Sequence, residues 1–158
     1  MLRPLTILLI LAAGPAPAQG TAFGGMRADL SAPVEVAADN LAVNQSDGSA
    51  VFTGNVVIGQ GEMRLSAQKV TVIYAAGGQD RIRALRAEGG VTLVSGPDAA
   101  EAQAADYDVE SGLVTLTGQV LLTQGGNVLA GDRVTVDLAS GTARADGRVR
   151  SVLQPGRN

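Results

Sequence analysis

Ala38-Asp39-Asn40-Leu41-Ala42-Val43, the turn signal Ser46-Asp47-Gly48 and Phe52-Thr53-Gly54-Asn55-Val56-Val57-Ile58 form the unit that decides the fold. Apolar residues alternate with polar ones on both sides of the turn, the pattern of two half-buried strands joined as a hairpin. Each strand also carries a small residue, Ala38 or Gly54, where a plain strand has no need of one.

The unit recurs, and a repeat of this kind governs the whole architecture. Its first element returns as Ala67-Gln68-Lys69-Val70-Thr71-Val72, Ala102-Gln103-Ala104-Ala105-Asp106-Tyr107 and Gly131-Asp132-Arg133-Val134-Thr135-Val136. Its second returns as Ala87-Glu88-Gly89-Gly90-Val91-Thr92-Leu93, Leu116-Thr117-Gly118-Gln119-Val120-Leu121-Leu122 and Ala145-Asp146-Gly147-Arg148-Val149. Small residue and central glycine lie 16 positions apart in units one, three and four but 22 apart in unit two. The surplus predicts a longer turn around residues 75–80.

Midway between successive small positions lie Ser46-Asp47-Gly48, Gln60-Gly61, Gly77-Gly78, Ser95-Gly96-Pro97, Glu110-Ser111-Gly112, Gln124-Gly125-Gly126 and Ser140-Gly141. All are turn chemistry. They predict a meander of eight antiparallel strands, with each small residue opposite the next and all of them aligned into one crease. Apolar parity flips around Ala67, from Met63 and Leu65 to Val70, Val72 and Tyr74, as across a bulge. Around Gly54 it does not flip. The predicted fold class is therefore all-β: an antiparallel creased meander, folded into a jelly-roll-like V with open ends.

Closing the crease is expected to set two apolar groups face to face. One comprises Leu41, Val43, Val70, Val72, Ala105, Tyr107, Val134, Val136 and Leu138. The other comprises Phe52, Val56, Ile58, Leu85, Val91, Leu93, Val114, Leu116, Val120, Leu122 and Val149. These are medium-sized aliphatics almost without aromatics, so the V is expected to leave an apolar groove, a site for lipid or a partner. A filled sandwich core without a ligand is the alternative, and a right-handed parallel β-helix is the rival fold.

At the start of the chain, Arg3, the apolar stretch Leu5 to Ala13 and Gly14-Pro15-Ala16-Pro17-Ala18 read as a Sec-type signal peptide, residues 1–18, cleaved after Ala18. The expected organisation is then a flexible segment 19–32, one domain over 33–152 and a tail 153–158. The net charge is −3, and −4 once Arg3 is removed, which offers a nucleic-acid backbone no general attraction. There is no His and no Cys, so most acid–base, nucleophilic and transition-metal chemistry is excluded and no cofactor is expected. The acidic pairs Asp98 with Glu101 and Asp106 with Asp108, and also Asp146, read as solvated or turn-capping groups. No loop has the dense oxygen ligands of a calcium site. Asp39, Gln68, Gln103 and Asp132 recur at the crease, where they are expected to satisfy backbone donors freed by bulges.

The pattern A-D-x-L-x-V, a glycine turn and F-T-G-N-V-x-I, as it stands in Ala38 to Ile58, resembles the OstA-like domain of the lipopolysaccharide-transport machinery. The resemblance covers residues 33–152. Units three and four depart from it at Ala105, Ala143 and Ala145. It implies a non-enzymatic periplasmic carrier and bridge that holds the acyl chains of lipid A in the groove. It further implies partners carrying the same domain at the inner and outer membranes, and head-to-tail self-association. Among family members, a soluble periplasmic subunit matches best a cleavable signal with no barrel-length continuation. The expectation from a different class is a structural or carbohydrate-binding β-repeat module of the cell envelope.

An open stack of bent strands leaves two edges able to accept another strand, expected at Val34 and Val36 and at Val149 and Val152. Arg144, Arg148 and Arg150 would guard the second edge or meet an acidic partner. Arg81, Arg83 and Arg86 read as a solvated strand face and as candidate contacts for lipid phosphates.

Overall fold

Turn chemistry and strand alternation together place ten strands in a computed structural model that describes residues 26–76 and 81–155. The expected signal peptide, residues 19–25, the Gly77-Gly78 turn and the last three residues of the tail lie outside the described residues. The strands are β1 Glu35–Ala37, β2 Asn40–Asn44, β3 Ser49–Gln60, β4 Met63–Tyr74 and β5 Ile82–Ser95, followed by β6 Asp98–Asp108, β7 Leu113–Gln124, β8 Asn127–Asp137, β9 Thr142–Asp146 and β10 Arg150–Val152. All belong to one antiparallel sheet, in which β3 to β8 pair in sequence order. It does not close into a barrel: among the described residues β1 and β2 pair only with β3 at one end, and β9 and β10 only with β8 at the other.

Ten strands appear where eight are expected because the first and last are broken at the crease. Strands β3 to β8 are held by neighbours on both sides and cross the crease as continuous strands. The two outermost have one neighbour each, and the same bend splits them into β1 with β2 and β9 with β10.

The crease itself is a ladder of bulges. Pairing is interrupted between Thr53 and Val56, Ser66 and Lys69, Glu88 and Val91, Glu101 and Ala104, and Thr117 and Val120. Odd-numbered strands leave two residues unpaired there, such as Gly54-Asn55, while even-numbered strands leave one, such as Gln68. A two-residue bulge keeps the inward parity of the strand and a one-residue bulge flips it, which explains the behaviour around Gly54 and Ala67. The alternation also shifts the register from the expected one. Ala67, Ala102 and Gly131 pair with Val56, Val91 and Val120, and it is the following residue, such as Gln68 or Gln103, that faces a glycine.

The bend divides the sheet into two leaves that face each other. Because each long strand crosses the crease, residues before and after its glycine lie on different leaves. Phe52, Leu85, Val114 and Leu116 therefore join Val70 and Val134 on one leaf, rather than Val56 and Val120 on the other as the sequence grouping had it. Between the leaves lies a single cluster of buried residues that includes Leu65, Val91, Leu93, Leu116, Leu122 and Val136. Each aliphatic side chain withdrawn from water here contributes roughly 1.5–3 kcal/mol.

Candidate functional site

The space between the leaves is the feature on which function must rest, and its lining follows from strand alternation. Of the groove residues named from sequence, Val56, Ile58, Val70, Val72, Leu85, Val91, Leu93, Tyr107, Val114, Leu116, Val120, Leu122, Val134 and Val136 are all buried in the inter-leaf cluster. Phe52 is half-buried at its margin. Leu41 and Val43 are 57% and 51% exposed, because β2 is the end of its leaf and has nothing beyond it. The opposite end carries exposed apolar residues too: Val149, Val152 at 52% and Leu153 at 55%. Of the edge residues named from sequence, Val36 pairs with Ile58 and Val152 with Val128, while Val34 is half-buried just before β1.

Opposite the crease, the strand ends form the two rims of a mouth. One rim holds the turns at 45–48, 109–112 and 138–141 with the strand ends at Tyr74 and Ile82, and the other the turns at 61–62, 96–97 and 125–126. Residues 26–34 run along this mouth. Most of them fall in the segment expected to be free of the domain, yet Met26 is only 3% exposed and Ala28, Leu30 and Val34 pack against the cluster. Their backbone is tied to both rims. Ala28 N–H donates to Leu138 O at 3.2 Å, Ser95 Oγ donates to Arg27 O at 2.6 Å, and Gln60 Nε2 donates to Ala32 O at 3.1 Å. Gln60 is itself buried and accepts the hydroxyl hydrogen of buried Tyr107 across the interior. Burial, and then the charge of Asp108, push the Tyr107 hydroxyl up to about 12, so it stays a donor at any ordinary pH.

Neither Gln60 nor Ser95 stands out in the sequence as more than a turn residue. The signal that would have found them is inward parity: both fall on the buried register of strands β3 and β5 at their last position.

At the crease, Asp39 and Asp132 meet side chains rather than the backbone donors expected for them. Asp39 accepts from Asn55 Nδ2 at 2.9 Å at one end of the ladder, and Asp132 accepts from Arg148 Nη2 at 2.8 Å at the other. The Arg148 hydrogen bond and charge hold the Asp132 carboxyl below its usual range. Arg86 is paired with Asp106 at 2.7 Å, Arg81 lies 3.5 Å from Glu110 and the charge of Arg83 acts on Asp108, so all three central arginines already have anionic neighbours. Among the described residues no group of three or more acidic side chains could hold a metal ion.

This geometry has relatives. Residues 35–142 match the family model described as LptA/(LptD N-terminal domain) LPS transport protein. An uncharacterised protein of Rhizobium meliloti is 31% identical over 157 residues, covering 93% of this chain and 84% of that one. The lipopolysaccharide export system protein LptA of Haemophilus influenzae is 30% identical over 148 residues, covering 87% and 86%. In fold, the chain is similar to the crystal structure of LptH, the LptA-homologous periplasmic component of the lipopolysaccharide transport device of Pseudomonas aeruginosa. The TM-score is 0.73 at 24% identity, covering 81% of this chain and 99% of that one. The family is one of transport proteins rather than enzymes, and its model spans most of the creased sheet. This chain belongs to the LptA/LptD N-terminal domain family of lipopolysaccharide transport proteins.

Proposed function

We propose that the protein is a periplasmic carrier that holds the acyl chains of lipopolysaccharide between its two leaves and bridges the inner and outer membranes. The observation that carries this is the inter-leaf interior. It is almost wholly aliphatic, and the stack that encloses it ends at both sides in strands paired on one side among the described residues, with exposed apolar residues. An interior of that kind matches a saturated chain in chemistry. About ten methylenes, at ~0.8 kcal/mol each, would contribute roughly 8 kcal/mol before ordering costs.

The open ends give the bridge its means. The outer sides of β1 and β2 at one edge and of β9 and β10 at the other pair with no other described strand, and a strand from a second copy would add there. Subunits with the same domain at either membrane could add one likewise. Such joins would align successive interiors into one path. The haemophilus and pseudomonas relatives, named for lipopolysaccharide export and transport, support the cargo and the compartment.

The experiment is mass spectrometry of lipids that copurify with the chain expressed in a lipopolysaccharide-making host. Lipid A species in stoichiometric amount are expected. Recovery of sugars alone, or of nothing, would favour a structural or carbohydrate-binding module instead.

A further inference from the structure

Residues 26–34 occupy the place through which a chain would have to enter. Arg27 and Ala28 are tied to Ser95 and Leu138, on opposite rims. Farther along, Leu30 lies against Gly112 on one rim, while the carbonyls of Leu30 and Ala32 accept from Gln60 on the other. Apolar contributions come from Met26, Ala28 and Leu30, directed into the cluster that the carrier reading assigns to acyl chains. The hold is polar and sparse compared with the sheet: a few hydrogen bonds to rim residues and no strand within residues 26–34. A segment so held is drawn from the low-stability end of a fold.

Resting on the carrier reading above, we propose that residues 26–34 are a displaceable strap and that the apolar interior they cover is where an acyl chain enters. Strap and acyl chain are then alternative partners of one apolar surface. Met26 and Leu30 seal the interior from water while the protein is empty. An arriving chain takes their place, and Gln60 and Ser95 release the strap backbone to solvent. The apparent affinity for lipid is lowered by the fraction of molecules in which the strap is seated. Gln60 and Tyr107 are positioning residues in this scheme: they act on the strap, and through it on access.

The chain has no cysteine, so Arg27→Cys gives a single exposed attachment point on the strap for a nitroxide. The mature protein carrying it is titrated with hexa-acylated lipid A, and with the deacylated sugar as control. Binding is read independently by native mass spectrometry. Lipid A is expected to bind and to convert the nitroxide from an immobile to a mobile spectrum, whereas the sugar does neither. Lipid A that binds while the nitroxide stays immobile overturns the strap and leaves the carrier reading standing. Lipid A that fails to bind overturns both.

The double substitution Gln60→Leu and Tyr107→Phe removes the hold on Leu30 and Ala32 without leaving an unpaired hydroxyl inside. It is expected to tighten lipid A binding about tenfold, and an unchanged affinity counts against the strap. Ser95→Ala, which removes only the bond to Arg27, tests the same point by a smaller change should the double variant not fold.

Discussion

Gly118 stands so close against Gln103 of the preceding strand that a β-carbon on it would lie 2.7 Å from the Gln103 β-carbon. It also has a φ of +83°, a left-handed conformation that side chains resist. Gly125, at the next turn, shares the positive φ, at +57°, but a β-carbon there would meet nothing within 4 Å. Gly125→Ala therefore pays only the backbone term of about 1–2 kcal/mol. Gly118→Ala adds overpacking of about 1–3 kcal/mol. Chemical denaturation of both variants should show the larger loss at 118, and equal losses would mean that the crease is not closely packed.

Leu116 and Leu93 are fully buried between the leaves. Truncation of either to alanine is expected to cost about 2–5 kcal/mol. Leu121→Ala, on the outer face of β7, should cost far less, because that side chain is already more than a third exposed. Thermal unfolding separates the cases.

The pH dependence follows from carboxylates alone. Asp108, which accepts the Ser111 backbone N–H, and Asp132, which accepts from Arg148, both have their carboxyls held below the usual range. A carboxyl whose pKa is lower folded than unfolded adds stability above the unfolded value, and loses it as pH falls through the folded one. With no histidine to titrate, the unfolding temperature should stay level from pH 5 to pH 8 and decline below about pH 4. A step near pH 6.5 would contradict this.

Removing residues 150–158 takes away β10 with its exposed Val152 and Leu153 but leaves β9 over Val134 and Val136. If head-to-tail joining uses this edge, the mature protein should grow with concentration in sedimentation and the shortened one should not. Both should keep a β-type circular dichroism spectrum. Growth that survives the deletion would move the docking edge elsewhere.

Turns and crease were legible because each rests on a local need. Glycine, serine and aspartate clusters mark reversals of the chain, and a bend in every strand calls for a small residue near Ala38, Gly54, Ala67 or Gly89. The leaf assignment of Phe52 and Leu116 was not legible, since it depends on which side of the bend a residue falls once strands are paired. The strap was hidden for a different reason. Met26, Ala28 and Leu30 are too sparse to read as an element, and Gln60 and Ser95 looked like turn residues because their roles arise only when 28 to 68 positions of chain are folded back. The exposed Leu41 and Val43 show the converse, with sound alternation but no neighbouring strand to cover it.

Photo-crosslinking in cells that make lipopolysaccharide tests the inter-leaf site most directly. A photoreactive residue replacing inward-facing Phe52, Ile58, Leu93 or Leu116 should capture lipopolysaccharide, whereas one replacing Thr53, Thr92 or Thr117, on the other parity of the same strands, should not. Equal labelling of the two sets, or labelling confined to the threonines, would contradict acyl chains lying between the leaves.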